Sequence, residues 1–152
     1  MDNITLEPFM VIGISVRTSN ENSQAATDMP AIWGKFFEES IMAKIPNRID
    51  DSVYCIYTDY EKDHTRPYTA ILGCKVNSLE SIPEGMVGKI VESKTYKKFT
   101  AKGNLKDNIV YEEWLKIWNS DLPRLYTTDF EVYGEKSQNQ EAAEIDIFIA
   151  VK

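Results

Sequence analysis

Val53-Tyr-Cys-Ile-Tyr-Thr-Asp59 decides the fold, because the chain carries its like twice. Six residues rich in β-branched and aromatic side chains read as a strand. Its end, Tyr57-Thr-Asp59, falls opposite Tyr133-Gly-Glu135 at the end of a second strand, Thr128 to Gly134. Upstream of the first copy, Met29 to Ala43 sets Ile32, Trp33, Phe36, Phe37 and Ile41 at helical spacing. Thr27 or Asp28 caps that helix, Pro30 is tolerated in its first turn, and Pro46-Asn47 closes it. Arg17 to Ala26 is a loop or a fraying helix start, and Phe9 to Val16 is a strand. Downstream, Glu61 to Pro67 is short and polar enough to be a hairpin connection into the strand Tyr68 to Val76.

Beyond a turn marked by Pro83-Glu-Gly85, the same order returns. Val87 to Phe99 reads as a strand. Asn104 to Asn119 reads as a helix with Asn104 as cap and Val110, Trp114, Ile117 and Trp118 on one stripe, ended by Leu122-Pro123. Thr128 to Gly134, a polar turn over Glu135 to Glu141, and Ala143 to Val151 complete the unit. The expectation is an α+β fold, one domain over residues 1–152, built from β-α-β-β pseudo-repeats at 5–76 and 87–151. The halves share one antiparallel sheet or two facing ones. Helices cover one face, and the seam between halves forms a ligand groove.

The formal charge of −7, with 24 acidic and 17 basic residues, opposes a nucleic-acid partner, whose phosphates call for a basic stripe. The longest basic cluster, Lys94, Lys97, Lys98 and Lys102, reads as the solvated side of a strand. Cys55 and Cys74 lie among apolar neighbours and read as reduced, buried small hydrophobes. His64 has no Cys or carboxylate partner at metal-ligand spacing, and Glu61 and Asp63 beside it belong to a solvated turn. Met1 to Phe9 has no apolar segment of a signal peptide, and no apolar run reaches the ~20 residues of a membrane span. The expected address is the cytoplasm, with no membrane contact. The Gly-rich phosphate loops, the nucleophile elbow and the His-Glu-x-x-His motif are all missing, and no cofactor is expected.

In Asp129-Phe-Glu-Val-Tyr133, strand alternation puts Asp129, Glu131 and Tyr133 on one face, Phe130 and Val132 on the other. A glutamate on a polar strand face ordinarily points to water. Tyr57 is the counterpart of Tyr133 in the first half, and Cys55 that of Glu131, so only one half supplies the acid. Trp33, Trp114 and Trp118 on helices fit a core stripe, or an indole wall that binds cations. Phe37 is similar, with a stronger leaning to core. Tyr96, Tyr68 and Tyr126 are further candidates for an aromatic pocket. Glu112 and Glu113 read most simply as an exposed helix face, with one of them at the pocket rim as the alternative.

Ile56-Tyr-Thr-Asp-Tyr60, Gly73-Cys-Lys-Val76, Ile82-Pro-Glu-Gly-Met86, Lys98-Phe-Thr-Ala-Lys-Gly103, Arg124 to Tyr133 and Glu144-Ile-Asp-Ile-Phe-Ile149 follow one another in an order that resembles the GyrI-like effector-binding superfamily. The likeness is to its stand-alone and integron-cassette members, and the domain also serves AraC-type regulators. The resemblance implies a pocket between pseudo-symmetric halves, walled by aromatics, with the motif glutamate, here Glu131, facing the ligand from the sheet face away from the helices. It implies lipophilic cations as ligands and, since the chain starts at its first strand, no helix-turn-helix module.

Three function classes follow. The first is a binding module for small cationic aromatic molecules, with Glu131, Tyr133, Tyr57, Trp33, Trp114, Trp118, Phe37, Tyr96 and Tyr68 as ligand contacts. The second is a hydrolase of electrophilic small molecules with Glu131 as general base. The third is an acidic inhibitor of a larger protein partner, of the gyrase-inhibitor type. The first is preferred, as a monomer or a homodimer.

Overall fold

The computed structural model describes residues 3–92 and 94–152, with Lys94 described by its backbone. Eight strands form one antiparallel sheet: β1 (Asn3–Leu6), β2 (Phe9–Thr18), β3 (Val53–Thr58), β4 (Tyr68–Val76), β5 (Val87–Val91), β6 (Lys94–Gly103), β7 (Thr128–Tyr133) and β8 (Ala143–Ala150). Three helices accompany them: α1 (Gln24–Glu38), α2 (Ile41–Lys44) and α3 (Ile109–Trp118). The spatial order is β1-β6-β8-β7-β3-β4-β2-β5. Exchanging each strand for the one four places later (β1 for β5, β2 for β6, and so on) reverses this order. The repeat read from the sequence is therefore a two-fold of the fold. Its axis falls between β3 and β7, where Cys55 pairs directly with Glu131.

Two departures from expectation concern strand paths. A leading strand, β1, precedes the first unit, and the stretch expected as one strand over Val87 to Phe99 is interrupted between Val91 and Lys94. Ser93 lies outside the described residues, as does the side chain of Lys94, one of the expected basic cluster. Each leading strand pairs with the other half: β1 with β6 and β5 with β2. The ladder through Leu6↔Lys94 continues as Phe9↔Val91, in the same register. The sheet thus curls until its ends meet. These pairings link residues far apart in the chain, so no local pattern reveals them.

Curling gives the sheet an inside. Val11, Tyr54, Ile56, Ile71, Val91, Tyr96, Phe130 and Ala150 pack there, with Phe9 and Phe148 against them. On the outside, α1 and α2 cover Ile12, Ile14, Cys55, Leu72 and Cys74. Helix α3 covers Ile147, Ile149 and Val151 through Trp114 and Ile117. Both cysteines are free and buried, as expected.

The helices also differ in extent. The first starts at Gln24, not Met29, so Pro30 sits in its interior rather than its first turn. A proline there has no N–H to give to the carbonyl of Ala26. The segment expected to run to Ala43 breaks at Ser40, whose φ of 51° stops α1 from continuing into α2. In the second half Asn104 does cap, accepting a bond from the Lys106 N–H at 2.9 Å, but it caps a single 3₁₀ turn. Asn108, at φ 55°, then starts α3.

Candidate functional site

Between α1 and α3, over the outer face of β3 and β7, lies a cavity of about 620 Å³. Its floor is Tyr57, Glu131 and Tyr133, and α1 supplies Met29, Pro30 and Trp33 to one wall. Helix α3 supplies Tyr111, Trp114 and Trp118 to the other. Asn20, Tyr60, His64, Tyr68 and Arg124 close one end. The groove is thus on the helix-bearing face, which corrects the expectation that it would open on the face away from the helices. That other face is filled by the aromatic interior of the curled sheet.

Strand alternation puts Glu131 on one face with Tyr133, as expected, but that face lies under the helices, and its surroundings take it out of water: it is 2% exposed. Three neutral donors converge on its carboxylate. The Tyr133 hydroxyl donates to Oε1 at 2.7 Å, the Trp114 indole N–H to Oε2 at 2.5 Å, and the Tyr57 hydroxyl to Oε2 at 3.1 Å. Among the described residues no lysine or arginine pairs with it. Burial pushes the Glu131 carboxyl above its ordinary pKa, and the bonds from Tyr133, Trp114 and Tyr57 pull it part of the way back. Burial also raises Tyr57 and Tyr133, with nearby Glu131 adding to the shift, so both phenols stay protonated and remain donors.

Asp129, two residues back on the same face, is the informative contrast. It is fully buried, but its carboxylate receives Arg124 Nη2 at 2.8 Å, the Tyr60 hydroxyl at 2.6 Å and the Ala150 N–H at 2.8 Å. One acid has a cation, and the other has none.

The two-fold shapes the walls. Trp33 meets Tyr133 edge-on at 4.9 Å, and Trp114 meets Tyr57 edge-on at 5.4 Å, so each helix leans on the other half's tyrosine. Trp114 is at once core and cavity wall, and Trp118 stacks on His64 at 5.5 Å and 8°. Tyr68 lines the cavity and donates to Asn20 Oδ1 at 3.2 Å.

Seven of the nine expected ligand contacts are therefore brought together: Glu131, Tyr133, Tyr57, Trp33, Trp114, Trp118 and Tyr68. Two are not. Tyr96 is fully buried inside the curled sheet, on the opposite face, against Phe130. Phe37 is 67% exposed, not core, and stacks on the outer side of Trp33. Tyr126 sits behind the cavity wall, under the Arg124 guanidinium. Glu112 and Glu113 stay outside the lining.

Sequence reasoning missed Arg124, His64, Tyr60 and Asn20. His64 belongs to the hairpin expected to be a solvated turn. Instead, the Asn20 side chain holds its carbonyl at 2.8 Å and the ring folds over the cavity end. Burial, reinforced by the Arg124 charge, lowers the His64 pKa. The only local signal for Arg124 was its place at the head of the quoted Arg124 to Tyr133 segment.

Comparison with known proteins agrees with this architecture. An integron cassette protein from the mobile metagenome of Vibrio cholerae is 31% identical, with a TM-score of 0.77 over 99% of this chain and 95% of its own. SAV2435, solved bound to tetraphenylphosphonium, has a TM-score of 0.80 at 16% identity, over 99% and 93% of the two chains. YobU of Bacillus subtilis, a candidate transcriptional regulator by name, is 27% identical over 144 residues, 92% of this chain and 90% of its own. The family model described as integron-associated effector binding protein matches residues 4–151. The chain belongs to the family of integron-associated effector binding proteins.

Proposed function

We propose that the cavity captures lipophilic organic cations, with Glu131 as their counter-ion and Trp33, Trp114, Trp118, Tyr57, Tyr133 and Tyr68 as aromatic walls, and that the protein acts in the cytoplasm as an effector-binding module. The observation that carries this reading is a buried carboxylate at the cavity floor with three neutral donors and, among the described residues, no cation. A carboxylate in such a place is costly to keep ionised, and an arriving cation recovers that cost. A neutral aromatic ligand recovers none of it, so the site selects by charge as well as by shape. Indole and phenol faces add about 0.5–2 kcal/mol for each cation they face. The structural neighbour SAV2435, solved with tetraphenylphosphonium, supports the choice of ligand class.

Three tryptophans in the lining make the test direct. Titration with tetraphenylphosphonium quenches their fluorescence saturably. Glu131→Gln keeps the side-chain volume and lowers affinity roughly 30-fold, by removing about 2 kcal/mol of charge-assisted attraction. Unchanged affinity in that variant, or no saturable quenching in the wild type, rejects the reading.

A further inference from the structure

We propose that the groove is polarised and takes guests with a single positive charge: the cation sits at Glu131, and a saturated hydrocarbon arm runs from it towards Leu105, Ile109 and Val110. This rests on the cation reading above and adds the guest's charge count and its orientation.

The two-fold gives the groove two ends, and the residues make them unlike. Strand β7 runs from Asp129 through Glu131 to Tyr133, and alternate residues of a strand lie about 7 Å apart. Glu131 is therefore central. The Asp129 end is polar. There Tyr60 and Arg124 bond to Asp129, the Asn20 side chain holds the His64 carbonyl, and Trp118, the last residue of α3, stacks on the His64 ring. At the Tyr133 end stands the opposite terminus of α3. Leu105, Ile109 and Val110 pack beside Tyr133 and line the cavity. All three are half-buried, so each still has surface to offer a guest. The Tyr133 hydroxyl is already committed to Glu131, and Asn108 at that end is exposed.

Charge sets what such a groove accepts. Among the described residues that line the cavity, Glu131 is the one carboxylate. Asp129, beneath the polar end, is taken by Arg124 at 2.8 Å. A second positive charge on the guest would meet hydrocarbon at one end, and Arg124 with His64 at the other. A charge buried without a partner is costly. A hydrocarbon arm also distinguishes the ends. Laid over Asn20, Tyr60 and His64, it strips water from polar groups and gives nothing back. Laid over Leu105, Ile109 and Val110, it removes apolar surface from water on both sides of the contact.

Two phosphonium ions of one shape test this. Both carry a triphenylphosphonium head on an arm of four methylenes. One arm ends in tert-butyl (5,5-dimethylhexyltriphenylphosphonium), the other in trimethylammonium, the isosteric cation. Tryptophan quenching gives the ratio of their affinities. In the wild type the tert-butyl compound binds roughly 30-fold or more tightly than its doubly charged twin. Ile109→Glu puts an acid in the first turn of α3, where a helix accommodates it, and narrows that ratio about tenfold. Leu105→Glu, on the turn before α3, narrows it independently. Ala26→Glu, the same acid at the polar end, leaves the ratio as in the wild type. Three results overturn the polarity while tetraphenylphosphonium binding leaves the cation reading standing: a doubly charged compound that binds the wild type as well as its twin, a ratio that neither Ile109→Glu nor Leu105→Glu narrows, or one that Ala26→Glu narrows as much. If neither compound nor tetraphenylphosphonium binds the wild type, the cation reading fails, and the polarity with it.

Discussion

At the scale of the residue, Glu131 is a proton store as well as the counter-ion of the proposed site. Burial raises its pKa above the ordinary value. Between the unfolded and the folded pKa, the folded protein holds a proton that the unfolded chain has released. By linkage, this carboxyl's contribution to stability therefore falls as pH rises through that window and levels off above the folded pKa. Binding follows the opposite sense. A cation takes the ionised form, so affinity for tetraphenylphosphonium rises with pH through the free protein's Glu131 pKa and is flat above it. Calorimetry in two buffers of different ionisation enthalpy shows a proton released on binding within that window, and Glu131→Gln abolishes both the release and the pH dependence. Glu131 itself was legible in the sequence, because strand alternation fixes which face a side chain takes. Its three donors were legible only as residue types. Arg124 and His64 were not legible, since they sit on connections that only the tertiary fold brings to the cavity.

At the scale of the element, two facing glycines decide how closely β2 and β4 run. Gly13 and Gly73 face each other in the ladder. A methyl on Gly73 would meet the Ile12 carbonyl oxygen and the Gly13 Cα at 2.7 Å, and one on Gly13 would meet the backbone of Leu72 and Gly73. Backbone cannot step aside as a flexible side chain can. Gly73→Ala accordingly costs about 3 kcal/mol in urea unfolding. Gly34 in α1 has open space around the same position, and Gly34→Ala adds about 0.5–1 kcal/mol instead. The strands were the readable elements because β-branched and aromatic runs are local signals. The start of α1 was hidden by the polar segment before it, where Asn22 and Ser23 take positive φ and mask the helix behind them.

At the scale of the molecule, the exchanged leading strands hold the curl shut. Without residues 1–8, the edge of β6 that pairs with Asn3–Leu6 is bare, and the interior loses Leu6. The truncated chain unfolds at lower urea and associates in a concentration-dependent way in sedimentation velocity, as an unpaired edge invites a new partner. The duplication has a further consequence at the axis. A repeated unit would ordinarily offer two equivalent berths, one per copy. Here the acid sits on the symmetry line itself, facing Cys55, its own counterpart in the other copy. Two acids in those places would be cross-strand neighbours about 5 Å apart, and their repulsion would keep one of them protonated. The seam therefore holds a single carboxylate without a cation among the described residues, and a guest bound as proposed straddles both copies rather than choosing one. What tells it head from tail is the asymmetry around that charge: the indole N–H of Trp114 on one side, and Trp33, whose ring turns to Tyr133 instead, on the other.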